Sequence, residues 1–177
     1  MALTIPPLRI PIFVSCPSAL RPTQEKSAQI IFDQLEKNKL QWRALGQPDY
    51  PRKLPLHEVI GMIKHCSGGI VLGFEQFEAK DVRYRRGVKG HSRKLPGTVC
   101  FPTPWNHLEA GILFSLKLPI LVFREPRIEG GIFDRGIIED FTHVMPTPTM
   151  SKTAKDELDT LFQRWAGEVR GYYHEWK

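Results

Sequence analysis

Apolar and polar positions change period repeatedly along this chain, between short apolar runs typical of strands and the 3.6-residue spacing of amphipathic helices. The short apolar runs predict five strands, at residues 10–15, 41–45, 70–74, 119–123 and 142–145. Helical spacing predicts helices at residues 22–37, 56–65, 104–117 and near 134–139, and a last one from about residue 151. Strands that alternate with helices favour a parallel sheet with right-handed crossovers. We therefore expect an α/β fold, a flavodoxin-like three-layer sandwich with a five-stranded parallel sheet.

Two segments stand outside this alternation. Residues 75–102 fit neither period, are rich in basic residues and glycine, and are predicted to form a long irregular loop insertion. Residues 150–177 are predicted to form a C-terminal helix followed by an aromatic tail that packs on the domain or on a partner. The length of 177 residues suits one domain, so we expect a single α/β domain over residues 1–177.

The positive charge of the chain is concentrated in the predicted insertion. Seven basic residues and one acidic residue lie between positions 80 and 94, a net charge of +6 that equals the net charge of the whole chain. A neutral remainder argues against a generally basic nucleic-acid-binding protein and favours one local anionic partner or a solvated loop. We expect a mobile solvated loop first, a phosphate lid second and nucleic-acid contact last, because no aromatic stripe and no DNA-binding motif is present.

Signals for membranes, metals and common cofactors are missing from the sequence. No apolar run approaches the roughly 20 residues of a membrane-spanning helix, and the first seven residues do not have the pattern of a signal peptide. Three cysteines without a CxxC pair indicate a reducing compartment. The histidine spacings match no metal site, and the glycine-rich loops of classical dinucleotide-binding and P-loop enzymes do not occur. We expect a cytoplasmic protein with no membrane partner, bound metal or bound cofactor.

One carboxylate lies inside the apolar helix predicted at 104–117. Thr103 suits the N-cap and Pro104 the first helical position, which places Glu109 about one and a half turns into the helix. The neighbouring positions are almost all apolar, and burying an unpaired carboxylate is costly. Glu109 is therefore a candidate catalytic residue. The alternative is a partly exposed glutamate at a helix edge, which costs nothing because glutamate is a good helix former.

A flavodoxin-like sheet predicts where Glu109 lies. Ligands of such sheets bind beyond the carboxyl ends of the strands, at the point where the strand order reverses between the first and third strands. The loops after these strands begin at residues 15–18 and 73–76, and the helix starting at Pro104 follows. The expected substrate-binding residues at this crevice and in the basic insertion are Ser15, Ser18, Phe74, Glu75, Tyr84, Arg85, Arg86, Trp105 and Asn106.

The segment Trp105-Asn106-His107-Leu108-Glu109 resembles TIR domains, in which a tryptophan precedes a glutamate on this helix and the glutamate is catalytic in members that cleave NAD. The opening Ile12-Phe13-Val14-Ser15 also looks like the first TIR motif. Glu109-Ala110-Gly111, followed by the apolar strand at 119–123, resembles nucleoside 2-deoxyribosyltransferases and nucleotide N-glycosidases. The resemblance covers roughly residues 10–146.

Both resemblances imply cleavage of an N-glycosidic bond, with NAD, a nucleoside or a nucleotide as substrate and Glu109 as nucleophile or electrostatic stabiliser. They further imply that Trp105 or Phe74 stacks on a base, that Ser15 and Ser18 donate to ribose or phosphate, and that Glu75 makes a polar contact. Tyr84, Arg85 and Arg86 would close over a phosphate. The alternative is a TIR-like module that senses a nucleotide or binds other proteins, including further copies of itself, without turnover.

Overall fold

In the computed structural model a five-stranded parallel sheet lies between two layers of helices, and the structure describes residues 9–44, 55–134 and 142–175. The strands in chain order are β1 (Ile10–Ser15), β2 (Leu40–Arg43), β3 (Gly69–Gly73), β4 (Phe77–Lys80), β5 (Arg83–Tyr84), β6 (Arg93–Lys94), β7 (Thr98–Phe101), β8 (Ile120–Arg124) and β9 (Thr142–Val144). The central sheet has the order β2-β1-β3-β8-β9, and all neighbouring pairs are parallel. The predicted flavodoxin-like α/β fold is confirmed.

Among the described residues, four α-helices cover the two faces of the sheet. They are α1 (Pro22–Lys37), α2 (Pro55–Lys64), α3 (Pro104–Ser115) and α4 (Lys152–Glu175). Alternate strand residues such as Ile12 and Leu72 form one apolar core with α1 and α4. Their neighbours Phe13 and Val71 form a second core with α2 and α3. This two-sided burial explains why the central strands are almost continuously apolar in sequence.

The predicted elements agree closely with the observed ones where the structure describes them. The bounds of β1 and α1 are those predicted, and the other central strands and the helices α2 and α3 end within two residues of the prediction. The helix predicted near 134–139 lies almost entirely outside the described residues. A 3₁₀ turn at Gly131–Phe133 precedes it.

The segment predicted as an irregular loop forms paired strands instead. Within it β4 pairs antiparallel with β7, and β5 pairs antiparallel with β6 nearer the tip. We call residues 77–101 the basic ribbon. These strands could not be predicted from the sequence because side chains on both faces of the ribbon are largely exposed. No apolar face therefore marks the two-residue alternation along them.

The aromatic tail is mostly the last part of α4 rather than a separate segment. This helix continues to Glu175, with Tyr172 packed against the α2 and α3 core and Tyr173 against the α1 and α4 core. Its start is capped by Ser151, whose Oγ accepts a hydrogen bond from the Ala154 amide at 3.2 Å. Within the described residues, no helix has both the length and the apolar character needed to cross a membrane.

A close approach at the end of β3 gives a test of this packing. A Cβ added at Gly73 would lie 2.4 Å from Cε1 of the fully buried Phe133, so Gly73→Ala is expected to destabilise the protein by about 1–3 kcal/mol. Gly167→Ala in α4 is the control, because nothing apart from the local backbone of its own helix lies within 4 Å of its added Cβ and alanine favours a helix. Urea denaturation of both variants checks this; equal stabilities would contradict the packing described.

Candidate functional site

A small pocket lies at the carboxyl edge of the sheet, at the switch point between β1 and β3. It has a volume of about 240 Å³ and is bounded by the end of β1, the loop after it and the first turns of α3. Its lining residues are Ser15, Cys16, Pro17, Ser18, Ala19, Gln76, Thr103, Trp105, Asn106 and Glu109. We call it the Glu109 pocket. The structure thus brings together five predicted site residues, from two segments about 90 positions apart.

The start of α3 is built as its sequence indicates. Thr103 has an extended backbone, and its side-chain oxygen accepts a hydrogen bond from the Asn106 backbone amide at 3.3 Å. Pro104 follows at the first helical position, where a missing N–H group costs nothing. This cap sets the rotation of the helix, so that Asn106 and Glu109 face the sheet while Trp105 faces outward.

Glu109 is buried, with 7% of its surface exposed. Burial raises the pKa of its carboxyl group from the ordinary value of 4.5 to about 7, and a hydrogen bond from Ser15 opposes that rise. At neutral pH the group therefore exists in both charge states. A carboxyl group whose pKa is displaced toward the working pH, in a pocket, is typical of functional sites.

A hydrogen-bond network orients the Ser15 hydroxyl toward Glu109. Asn106 Nδ2 donates to Ser15 Oγ at 2.8 Å and to the Leu72 carbonyl at 3.4 Å. Thr103 Oγ1 in turn donates to Asn106 Oδ1 at 3.0 Å. Because Ser15 Oγ accepts from Asn106, its own proton is available to the Glu109 carboxylate. Asn106 is 1% exposed, so it acts on Ser15 rather than presenting its amide to a ligand.

The network gives a second prediction. Asn106→Ala removes the hydrogen bond that the buried Ser15 Oγ accepts and one of the hydrogen bonds that the Leu72 carbonyl accepts, so a loss of about 1–3 kcal/mol in the free energy of unfolding is expected. Thermal and urea denaturation measure the loss. The comparison variant is Thr160→Ala on α4, whose exposed hydroxyl bonds only within its own helix, to the Asp156 carbonyl at 2.9 Å. A loss no larger than that of Thr160→Ala would contradict the network.

Cys16 lies beside Glu109 but is not an activated nucleophile. Burial and the neighbouring Glu109 charge raise the pKa of its thiol to about 12. The thiolate is the reactive form of cysteine, and at neutral pH very little of it is present. Glu109 is therefore the nucleophile candidate that this pocket offers.

Trp105 and Ser18 form the exposed wall of the pocket. Trp105 is 43% exposed one turn before Glu109, and Ser18 is exposed in the loop after β1. Ser18 is not the N-cap of α1, because that position is Arg21, whose backbone amide donates to Gln24 Oε1 at 3.1 Å. Both side chains can reach a molecule that enters the pocket from solvent.

Phe74 does not reach the pocket. Its ring is fully buried in the core between the sheet and α1, so no base can stack on it there. The physical reason lies in strand geometry, because Phe74 continues the inward set of Ile70 and Leu72. Of the two aromatic residues predicted to contact a base, only Trp105 is exposed at the site.

Glu75 points into a neighbouring cavity of about 420 Å³. Arg127 binds it through two hydrogen bonds, Nε to Oε1 at 3.0 Å and Nη2 to Oε2 at 2.6 Å. Arg21 Nη2 lies 3.7 Å from Glu75 Oε2 and 3.5 Å from Glu125 Oε1. This cavity shares Ala19 and Gln76 with the Glu109 pocket, so the two form adjoining parts of one edge.

The ionic cluster of Arg21, Glu75, Glu125 and Arg127 is not predicted from the sequence. Gln24 Nε2 donates to Glu125 Oε2 at 2.8 Å, and the same oxygen accepts a hydrogen bond from the Glu75 backbone amide at 2.6 Å. Glu125 and Arg127 follow the carboxyl end of β8, and that position is the signal that could have identified them.

Tyr84, Arg85 and Arg86 do not come to the site. They lie at the tip of the basic ribbon, are exposed, and line neither the Glu109 pocket nor the cavity next to it. The residue just before the ribbon does contribute, because Gln76 lines both spaces. Its backbone amide donates to the Phe101 carbonyl at the end of β7, at 3.0 Å. The predicted phosphate lid is therefore not formed by these three residues in this arrangement.

Within the part of the chain that the structure describes, no group of three or more His, Cys, Asp or Glu side chains could hold a metal ion. No model of a known protein family matches the chain, and a comparison with curated proteins finds no match either. The geometry of the Glu109 pocket is accordingly the basis for a functional proposal.

Proposed function

We propose that this protein binds a nucleoside or nucleotide, NAD included, at the Glu109 pocket and cleaves its N-glycosidic bond. One observation carries the proposal: a buried carboxyl group with its pKa raised to about 7, bonded by a serine hydroxyl, in a pocket at the switch point of the sheet. The similarity of the residues around Glu109 to TIR domains and deoxyribosyltransferases supports the same chemistry.

Cleavage of the N-glycosidic bond is accelerated by a negative charge close to C1′ of the ribose. When the bond from C1′ to the base nitrogen breaks, the base leaves with the electron pair and C1′ acquires oxocarbenium character. A carboxylate fixed in a poorly solvated pocket stabilises that positive charge far better than water does. Glu109 then either forms a glycosyl ester that water hydrolyses, or stabilises the cation while water attacks directly. Its ionised form is the active one in both cases.

The size of the two adjoining spaces supports a ligand of nucleoside size or larger. The Glu109 pocket, at about 240 Å³, lies slightly below the common range for small-molecule sites of roughly 300–1,000 Å³, and the adjoining cavity adds room. In the proposed arrangement the ribose lies beside Glu109, the base stacks on Trp105, and Ser18 donates to a hydroxyl or phosphate oxygen.

A chromatographic assay tests the proposal. The purified protein is incubated with NAD and with a panel of nucleosides and nucleotides, and free base is measured over time. Release of base that depends on Glu109 supports cleavage. If no substrate releases its base and none binds by calorimetry, the proposal fails.

A nucleotide-sensing or protein-binding module without turnover is the second candidate. Exposed apolar side chains in the first turns of α3 favour it, since Trp105, which lines the pocket, and Leu108 are each 43% exposed. Calorimetry combined with the chromatographic assay distinguishes a nucleotide-sensing module from the enzyme, because the sensing module requires nucleotide binding with no base released.

A further inference from the structure

The basic ribbon carries a positive charge that the candidate site does not use. Its segment from Lys80 to Lys94 has a net charge of +6, and the remainder of the chain is neutral overall. All seven basic side chains of this segment are exposed. Within the described residues, the carboxylate of Asp81 pairs with Lys94, and no other ribbon cation has an acidic partner. Six positive charges are thus available to an anionic partner.

Paired strands hold these charges at a defined spacing. The β5–β6 pairing places Arg83 opposite Lys94 and Tyr84 opposite Arg93. A bond from the Leu95 amide to the Val82 carbonyl, at 2.8 Å, continues the pairing toward the base of the ribbon. The arrangement is a two-stranded ribbon with cations along both strands and across the tip.

The ribbon also presents an aromatic ring covered by guanidinium groups. The Cζ atoms of Arg85 and Arg93 lie 5.2 Å and 5.4 Å from the centre of the Tyr84 ring, within the range of cation–π contact. Tyr84 is 45% exposed. A guanidinium group that lies over a ring still has N–H groups that can donate to a phosphate or to a base edge. Its planar face also offers a surface on which a base can stack.

We infer that the tip of the basic ribbon is a nucleic-acid binding site. The partner is recognised chiefly through its phosphates, because exposed arginine forks match phosphate oxygens bidentately. A two-stranded ribbon also fits the major groove of a DNA duplex, while an unpaired base can stack on a guanidinium group held over Tyr84. From its sequence, this segment is expected to contact nucleic acid only after the alternatives of a solvated loop and a phosphate lid. The strand pairing, which concentrates the charge on a ribbon, changes that order.

A membrane surface fits the ribbon less well. Residues that insert into a bilayer interface present a broad apolar face beside their cations. Between positions 83 and 94 the exposed apolar side chains are Val88 and the arginine-covered Tyr84. Four of the six available cations (Arg83, Arg85, Arg86 and Arg93) are arginine, the residue preferred for phosphate and base recognition in nucleic acids.

Fluorescence anisotropy with a labelled DNA duplex and a labelled single-stranded RNA tests the inference. The tip variant is Arg85→Gln, Arg86→Gln and Lys89→Gln together, and the control is Lys26→Gln, Lys64→Gln and Lys152→Gln. Both remove three positive charges from exposed positions, but only the first removes them from the ribbon. The tip variant is expected to bind about 10²-fold more weakly at about 0.1 M salt, and the control close to wild type.

The salt dependence adds an independent readout. Each phosphate contact contributes about −0.9 to the slope of log K against log salt for a duplex, so a slope near −5 is expected for wild type and near −3 for the tip variant. Circular dichroism confirms that both variants are folded. Equal loss of affinity in both variants, no binding of either nucleic acid, or tighter binding to vesicles containing phosphatidylserine would each overturn the inference.

Discussion

Glu109→Gln is expected to lower the rate of base release by about 10²–10³-fold. The substitution keeps the size of the side chain and an oxygen that can accept the Ser15 hydrogen bond, but it removes the negative charge that C1′ requires. Because the lost interaction belongs to the transition state, kcat is expected to fall while KM changes little. Steady-state kinetics with the best substrate found by the chromatographic assay gives both constants.

Glu168→Gln is the matched control, since it makes the same chemical change at an exposed position of α4. It is expected to retain wild-type kinetics. The ionised form of Glu109 is the active one, so the wild-type rate should rise with pH through about 7, following the pKa of this group. If Glu109→Gln turns over like wild type, the proposed mechanism is wrong whatever the substrate is.

Between pH 4 and pH 8, the free energy of unfolding of the wild type is expected to fall by about 3 kcal/mol relative to that of Glu109→Gln. Below about 4.5 the carboxyl group is protonated in both the native and the unfolded chain, and burial costs nothing. Between about 4.5 and 7 the unfolded chain ionises first, which favours unfolding, and above 7 the penalty is constant. The displacement from 4.5 to about 7 corresponds to about 3 kcal/mol, at 1.36 kcal/mol for each pKa unit.

Urea denaturation of the two proteins at several pH values measures this difference without any substrate. The other titrating groups are the same in both proteins, so their contributions cancel in the comparison. Parallel stability profiles would mean that Glu109 ionises with an ordinary pKa. The result therefore tests the electrostatics of the pocket separately from the proposed reaction.

Much of the candidate site could be predicted because its position follows from local patterns. The cap at Thr103 sets the phase of α3, and that phase turns Glu109 inward. The switch-point rule then brings the end of β1 next to that helix. What could not be predicted is the environment of each side chain. The bond from Asn106 to Ser15 joins positions 91 residues apart, and nothing in either local sequence indicates it.

The environments of Glu75 and Phe74 could not be predicted from the sequence either. Glu75 follows a central strand, as a ligand-binding residue would, yet its charge is taken up by Arg127, which is 52 positions away. Phe74 follows the same strand but is turned into the core, where its ring has no exposed surface. A residue's place at a strand end is thus readable from sequence, while its partner depends on which other segments arrive at that edge.

Local sequence patterns were sufficient to predict the alternation of strands and helices, the flavodoxin-like order of the sheet and the cap that turns Glu109 inward. These features depend on hydrophobic period and on backbone preferences over a few residues. The charge environment of Glu109, the neutralisation of Glu75 and the strand pairing of the basic ribbon became visible in the folded protein alone. Those depend on contacts between distant segments, and burial and ion pairing are energies that arise only when such segments meet.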